Sequence, residues 1–230
     1  KPNSLRGLNR LVEYAGQNVT ILPVDNEHCM NLQADKRGRD EENSYWGTVN
    51  RYIANTLQWH WQLTTLENHK NYYDLSLGYE ALDSNDLKRI LFGGDGLVDF
   101  REAVIEAPND MEGIERQIKS SGLLFEGLNL KSANRYAVTI SIPYAWREFE
   151  KGLGVFMDAV FDAVGRVSSK TPNVVRSSFY NKKFQKVRVR VIASGLDTNG
   201  PGIRKIVKSM RRDMTKIENQ KSASTINLGI

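Results

Sequence analysis

The sequence predicts an α+β protein: a C-terminal βαββαβ module of ferredoxin-like order, residues 134–230, follows an N-terminal mixed, largely helical region, residues 1–133. Three observations predict it. From Arg135 onward the spacing of apolar residues switches between every second and every third or fourth position, in the order strand, helix, strand, strand, helix, strand. Before that point the clear apolar stripes are mostly helical. Charge is also sorted by position. Residues 166–221 hold 15 Lys and Arg against three acids, whereas the first 165 residues hold 17 against 24, a net of −7.

Composition sets the outer limits. A chain of 230 residues, 40% hydrophobic and 26% charged, suits one large or two small folded domains. No apolar run approaches the roughly 18 residues that cross a bilayer, and Lys1-Pro2-Asn3-Ser4 leads into no signal-type apolar core. No membrane partner is expected. The composition suits the cytoplasm, with a nucleus or a virion equally suitable. The single Cys29 cannot close an intramolecular disulfide, and with three scattered histidines it makes no structural zinc set. No metal or cofactor is expected.

In chain order, Leu5, Leu8 and Val12 make a helical stripe behind a Ser4 cap, and Asn18 to Val24 alternates as a strand. Residues 34–43 mix charges without an apolar anchor and read as an exposed loop. Ser44 caps an amphipathic helix through Trp46, Val49, Ile53 and Leu57, and Trp59-His60-Trp61 closes it as a core cluster. Ser84-Asn85-Asp86 opens a helix carrying Leu87, Ile90 and Leu91, which Gly93-Gly94-Asp95-Gly96 breaks. Asn109 or Asp110 begins another through Ile114 and Ile118, stopped by Gly122. The other residues between 62 and 133 show no clear pattern, and their acids read as a solvated surface.

The C-terminal elements are sharper. Arg135 to Tyr144 places Tyr136, Val138, Ile140 and Ile142 on one face and Ala137, Thr139 and Ser141 on the other, with Pro143 ending the strand. Ala145 to Val164 carries the stripe Phe149, Leu153, Phe156, Val160 and Val164. Asn173 to Tyr180 and Phe184 to Ala193 read as strands joined in a tight hairpin by Asn181-Lys182-Lys183. Pro201 starts a second helix through Ile203, Val207, Met210, Met214 and Ile217, and Thr225 to Ile230 alternates as a last strand. In this topology both helices cover one face of a four-stranded antiparallel sheet and the other face is open.

Period-two arithmetic then assigns the open face. Val187, Val189 and Val191 point to the helices, which leaves Phe184, Lys186, Arg188 and Arg190 outward. With Val175 and Phe179 inward, Arg176 and Tyr180 point out beside them. Cations for phosphates and rings for bases suit a nucleic-acid partner, single-stranded RNA favoured over DNA. Lys182 and Lys183 adjoin this face. Arg204, Lys205, Lys208, Arg211 and Arg212 of the second helix either extend the phosphate track or dock on the acidic surface of a neighbouring copy.

On these residues the module resembles RNA-recognition modules and the repeat-associated RNA-binding proteins of bacterial defence complexes, over residues 134–230. Arg188 and Arg190 stand where the RRM-like pattern has stacking rings, so phosphate tracking is expected rather than base-by-base reading. The expected function is a non-catalytic RNA-binding subunit of a self-associating ribonucleoprotein or coat. Two alternatives stand beside it: a capsid-like assembly protein whose basic module meets protein, and a metal-dependent nuclease or nucleotidyl-transfer enzyme. The carboxylate pairs Asp95 with Asp99 and Glu102 with Glu106 are the raw material for the last. No nucleophile elbow, phosphate-binding glycine loop, zinc-protease helix or cysteine-histidine pair is present, so no catalytic residue is assigned.

Overall fold

The computed structural model describes residues 10, 20–34, 45–62, 73–74, 82–93, 96–105, 111–120, 122–170, 172–205, 207–208, 212 and 215. Its elements are β1 (Thr20–Ile21), α1 (Asn26–Ala34), α2 (Tyr45–Gln62), β2 (Tyr73–Asp74), α3 (Ser84–Phe92), β3 (Gly96–Ile105), α4 (Met111–Ser120), β4 (Arg135–Pro143), α5 (Glu150–Gly165), β5 (Asn173–Asn181) and β6 (Val187–Leu196). Residues 201–205, 207–208, 212 and 215 are helical as well. Of the expected helix from Ser4 only Arg10, which is helical, is among the described residues, while the loop at 35–43 and the strand at Thr225–Ile230 lie outside them.

Local chemistry explains the ends of α3. The Asp83 carboxylate accepts from the Asp86 backbone N–H at the N-cap, and the Gly93 N–H donates to Arg89 O at the C-cap. Leu87 and Ile90 on one side of that helix are buried.

The six strands form one mixed sheet in the order β1-β3-β6-β4-β5-β2. This corrects the ferredoxin-like, RRM-like expectation. β5 runs parallel to β4 from Arg135↔Asn173 to Pro143↔Asn181, with α5 as the crossover between them. β6 runs antiparallel along the other edge of β4. β5 and β6 are therefore not neighbours, and Asn181-Lys182-Lys183 carries the chain across β4 instead of closing a hairpin. On its far side β6 pairs antiparallel with β3, from Asp99↔Ala193 to Ile105↔Val187. The sheet thus runs across the expected division at residues 133 and 134.

β3 comes from the stretch read as solvated surface. Of its residues Gly96-Leu97-Val98-Asp99-Phe100-Arg101-Glu102-Ala103-Val104-Ile105, all are buried except the half-buried Glu102 and Val104, so no exposed polar side alternates with an apolar one.

Each face of the sheet carries its own core. Tyr136, Val138, Ile140, Val187, Val189 and Val191 pack with Ile114 of α4, Leu153, Phe156 and Val160 of α5, and Ile203. On the opposite face Ala137, Val98, Phe100, Phe179 and Ile192 pack with Cys29 of α1, Val49 of α2, and Leu87 and Ile90 of α3. The result is three layers, helices on both sides of a sheet. The face expected to be open is the one under α1, α2 and α3.

β5 also faces the other way from the expectation. Val175 and Phe179 join the second core and Tyr180 the first, while the Arg176 guanidinium lies 5.1 Å over the Phe161 ring of α5. The parallel register explains this, because Ser141 and Phe179 are partners and share a face. At the end of β6, Gly195 adopts φ 69°, and a Cβ there would run into the Asn134 side chain. Among the described residues no helix is long and apolar enough to cross a membrane.

Candidate functional site

The arginines expected to face solvent are held internally. Glu102 of β3 lies opposite Arg190 of β6 in the ladder. Arg190 Nε donates to Glu102 Oε1 at 3.1 Å and Arg188 Nη1 reaches the same oxygen at 3.4 Å. Arg190 is only 5% exposed. Its guanidinium carbon lies 4.1 Å from the centroid of Trp59, on α2, and that of Arg188 lies 4.6 Å from the Phe184 centroid. Phe184 and Trp59 are in turn tilted against each other at 5.7 Å. A carboxylate from one strand and an aromatic ring from the covering helix thus occupy the positions that an external phosphate and base would need.

The rest of the expected set is scattered. Arg176 pairs with Asp158 and Asp162 of α5 at 3.6 and 3.9 Å, on the opposite face of the sheet. Tyr180 is buried and meets Tyr144 edge-on. Lys182, Lys183 and Lys186 are exposed, with Lys182 Nζ 5.7 Å from the Tyr144 centroid.

Sequence reasoning placed Trp59 in a core cluster and read Glu102 only as the partner of Glu106, and so missed that both hold Arg190; it also missed a second buried pair. Arg101 Nε donates to Asp99 Oδ2 at 2.6 Å, and both side chains are 2% exposed. Arg101 also donates to Ile118 O at 3.3 Å. Burial pushes the Asp99 carboxyl up to about 6, outweighing the pull of the Arg101 charge. Asp99 is therefore a core residue paired with Arg101, while Asp95 and Glu106 lie outside the described residues. Among the described residues no group of three or more His, Cys, Asp and Glu could hold a metal ion. The signal for β3 was present in Val98-Asp99-Phe100-Arg101-Glu102-Ala103-Val104-Ile105, a β-rich run bounded by Gly96 and Pro108.

One cationic surface does face outward. Arg204, Lys208 and Arg212 recur at four-residue spacing, the period of a helix face. They line a groove of about 630 Å³ between the 198–199 turn and the helical residues, floored by Ile203 and Val207. All three are exposed, and among the described residues none of them makes an ion pair. Lys205 turns to a neighbouring groove beside Asp25, Glu27 and Glu126. Arg211 lies outside the described residues.

No protein-family model matches the chain, and no curated protein sequence matches it. Solved structures do. The helical model of the two-stranded TubZ-Bt filament superposes with a TM-score of 0.72 at 14% identity, covering 98% of this chain and 54% of that one. The GTPγS-form protofilament of TubZ from Bacillus thuringiensis serovar israelensis gives 0.70 at 14% identity, covering 98% and 56%. The GTPγS-bound protofilament of CetZ2 from Haloferax volcanii gives 0.58 at 18% identity, covering 94% and 57%.

These likenesses, together with the covered sheet face, overturn the expectation of an RNA-binding ribonucleoprotein subunit and of a nucleic-acid partner. They give no support to a nuclease. The chain spans a little more than half the length of each of these proteins. Across nearly all of its own length it has the fold that TubZ and CetZ2 share.

Proposed function

We propose that this chain belongs to a protein that assembles head to tail into a protofilament under the control of a guanine nucleotide, which it hydrolyses. The observation that carries this reading is the superposition of 94–98% of the chain on proteins whose structures are GTPγS-bound protofilaments and filaments. The expectation of a non-catalytic protein gives way with it.

The charge distribution supports the same reading. A contact between unlike surfaces of identical subunits repeats without closing, and opposite charge on the two surfaces steers it. The three outward cations of the 198–215 groove supply one such surface. The net −7 of the first 165 residues supplies an opposite charge.

The test is right-angle light scattering and electron microscopy of the purified protein with GTP, GTPγS, GDP or no nucleotide, with phosphate release followed in parallel. Filaments in GTPγS, and filaments with phosphate release in GTP, are expected. A protein that stays monomeric in every condition and retains no guanine nucleotide overturns the reading.

A further inference from the structure

The second core is not filled. Where α2 and α3 meet the β1 side of the sheet, it leaves a cavity of about 330 Å³, at the lower end of the ~300–1,000 Å³ typical of small-molecule sites. Leu22, Leu87, Leu91, Val98, Phe100 and Ile192 form most of its wall. Leu57 and Phe92 complete the lining and are 38% and 71% exposed, so the cavity opens to solvent between apolar side chains.

Among the described residues of this lining, His60 is the one ionisable group. Its ring is 3% exposed and stacks on Phe100 with centroids 4.3 Å apart. Nδ1 lies 2.7 Å from Thr56 O. A carbonyl oxygen can only accept, so Nδ1 carries the proton, and in the neutral ring Nε2 is a bare acceptor. Burial first, then the nearby Arg190 charge, holds the ring down at about 4, so it is neutral at neutral pH. Nε2 is buried and has no hydrogen-bond partner among the described residues. A water there needs about two to four polar partners, and among the described residues Thr20 is the only other one of the wall with a polar side chain.

We propose that this cavity is a binding site for a small, mainly apolar ring molecule whose single N–H or O–H donates to His60 Nε2. The wall supplies the dispersion contacts and His60 selects the donor, the division of labour usual in small-molecule pockets. This site and filament assembly stand on different observations, so either can fail without the other.

Indole and benzofuran are the probes, because they share a shape and differ in an N–H against an ether oxygen. Titrated by calorimetry into the full chain, indole binds roughly three- to tenfold more tightly, the worth of one net hydrogen bond, and the His60 Nε2 nitrogen resonance moves with it. His60→Phe keeps the stacked ring and binds both probes alike, and Leu57→Trp at the mouth weakens both. Equal affinity of the unaltered chain for the two probes overturns the proposal. So does the absence of saturable binding of either up to its solubility limit. The comparison on the unaltered chain decides the matter even if His60→Phe fails to fold.

Discussion

The Arg190 guanidinium lies 4.1 Å over the indole of Trp59, and this contact joins the central strand β6 to the covering helix α2. The same arginine donates to Glu102 at 3.1 Å, so one side chain ties together β6, β3 and α2. A residue that looks like ligand-binding equipment in the sequence is a structural joint.

Replacing Glu102 with Ala is expected to destabilise the fold by about 3–5 kcal/mol, because it strands the Arg190 charge in a site where that residue is 5% exposed. The double replacement Arg188→Ala and Arg190→Ala is expected to destabilise it as well, where a solvated binding face would tolerate the change. Urea unfolding followed by circular dichroism measures both. A Glu102→Ala protein as stable as the original would show that the arginines are not held as described.

Two buried groups are expected to oppose one another between about pH 4 and pH 6. Asp99 is raised to about 6, so the folded state holds its proton more tightly than the unfolded chain, and its contribution is lost as pH rises through that window. His60 is lowered to about 4, so the unfolded state takes up the proton first, and its contribution is lost as pH falls below the ordinary histidine value. Removing one should expose the other. In His60→Phe, stability falls more steeply from pH 4 to pH 6 than in the unaltered chain, and in Asp99→Asn it rises more steeply. Thermal unfolding across that range reads the two slopes, and the same slope in both variants would refute the assignment.

Charge reversal of the outward stripe is expected to act on assembly and not on folding. Arg204→Glu with Lys208→Glu alters two exposed side chains that make no ion pair among the described residues, so the unfolding free energy stays within about 0.5 kcal/mol of the original. The critical concentration for filament formation should rise severalfold, and the rise should shrink with added salt, which screens the contact. Sedimentation at two salt concentrations checks this. An unchanged critical concentration would remove the groove from the assembly surface.

Periodicity located most elements to within a few residues, among them α2, α3, α4, β4, β5 and β6, because each has a side that must be apolar. It could not order the strands. Tyr136, Val138 and Ile140 show that β4 has an apolar face, but nothing in their spacing tells whether β5 or β6 lies beside them, or how many partners β4 has. β3 was invisible for a related reason. Asp99, Arg101 and Glu102 look like surface residues one at a time, and only the pairs they make bring them inside. The site reading failed at the same point, since alternation says that Arg188 and Arg190 share a side of the strand, and the layer that covers this side comes from residues before 100.

β6 ends at Leu196, yet it lies between β3 and β4 near the middle of the sheet. On a ribosome, β3 would emerge some eighty residues before its main partner and wait with only the two-residue β1 beside it. Pairings so distant along the chain make for slow closure and a long-lived sticky intermediate. On this topology the edge of β3 is expected to stay unpaired until translation has delivered β6.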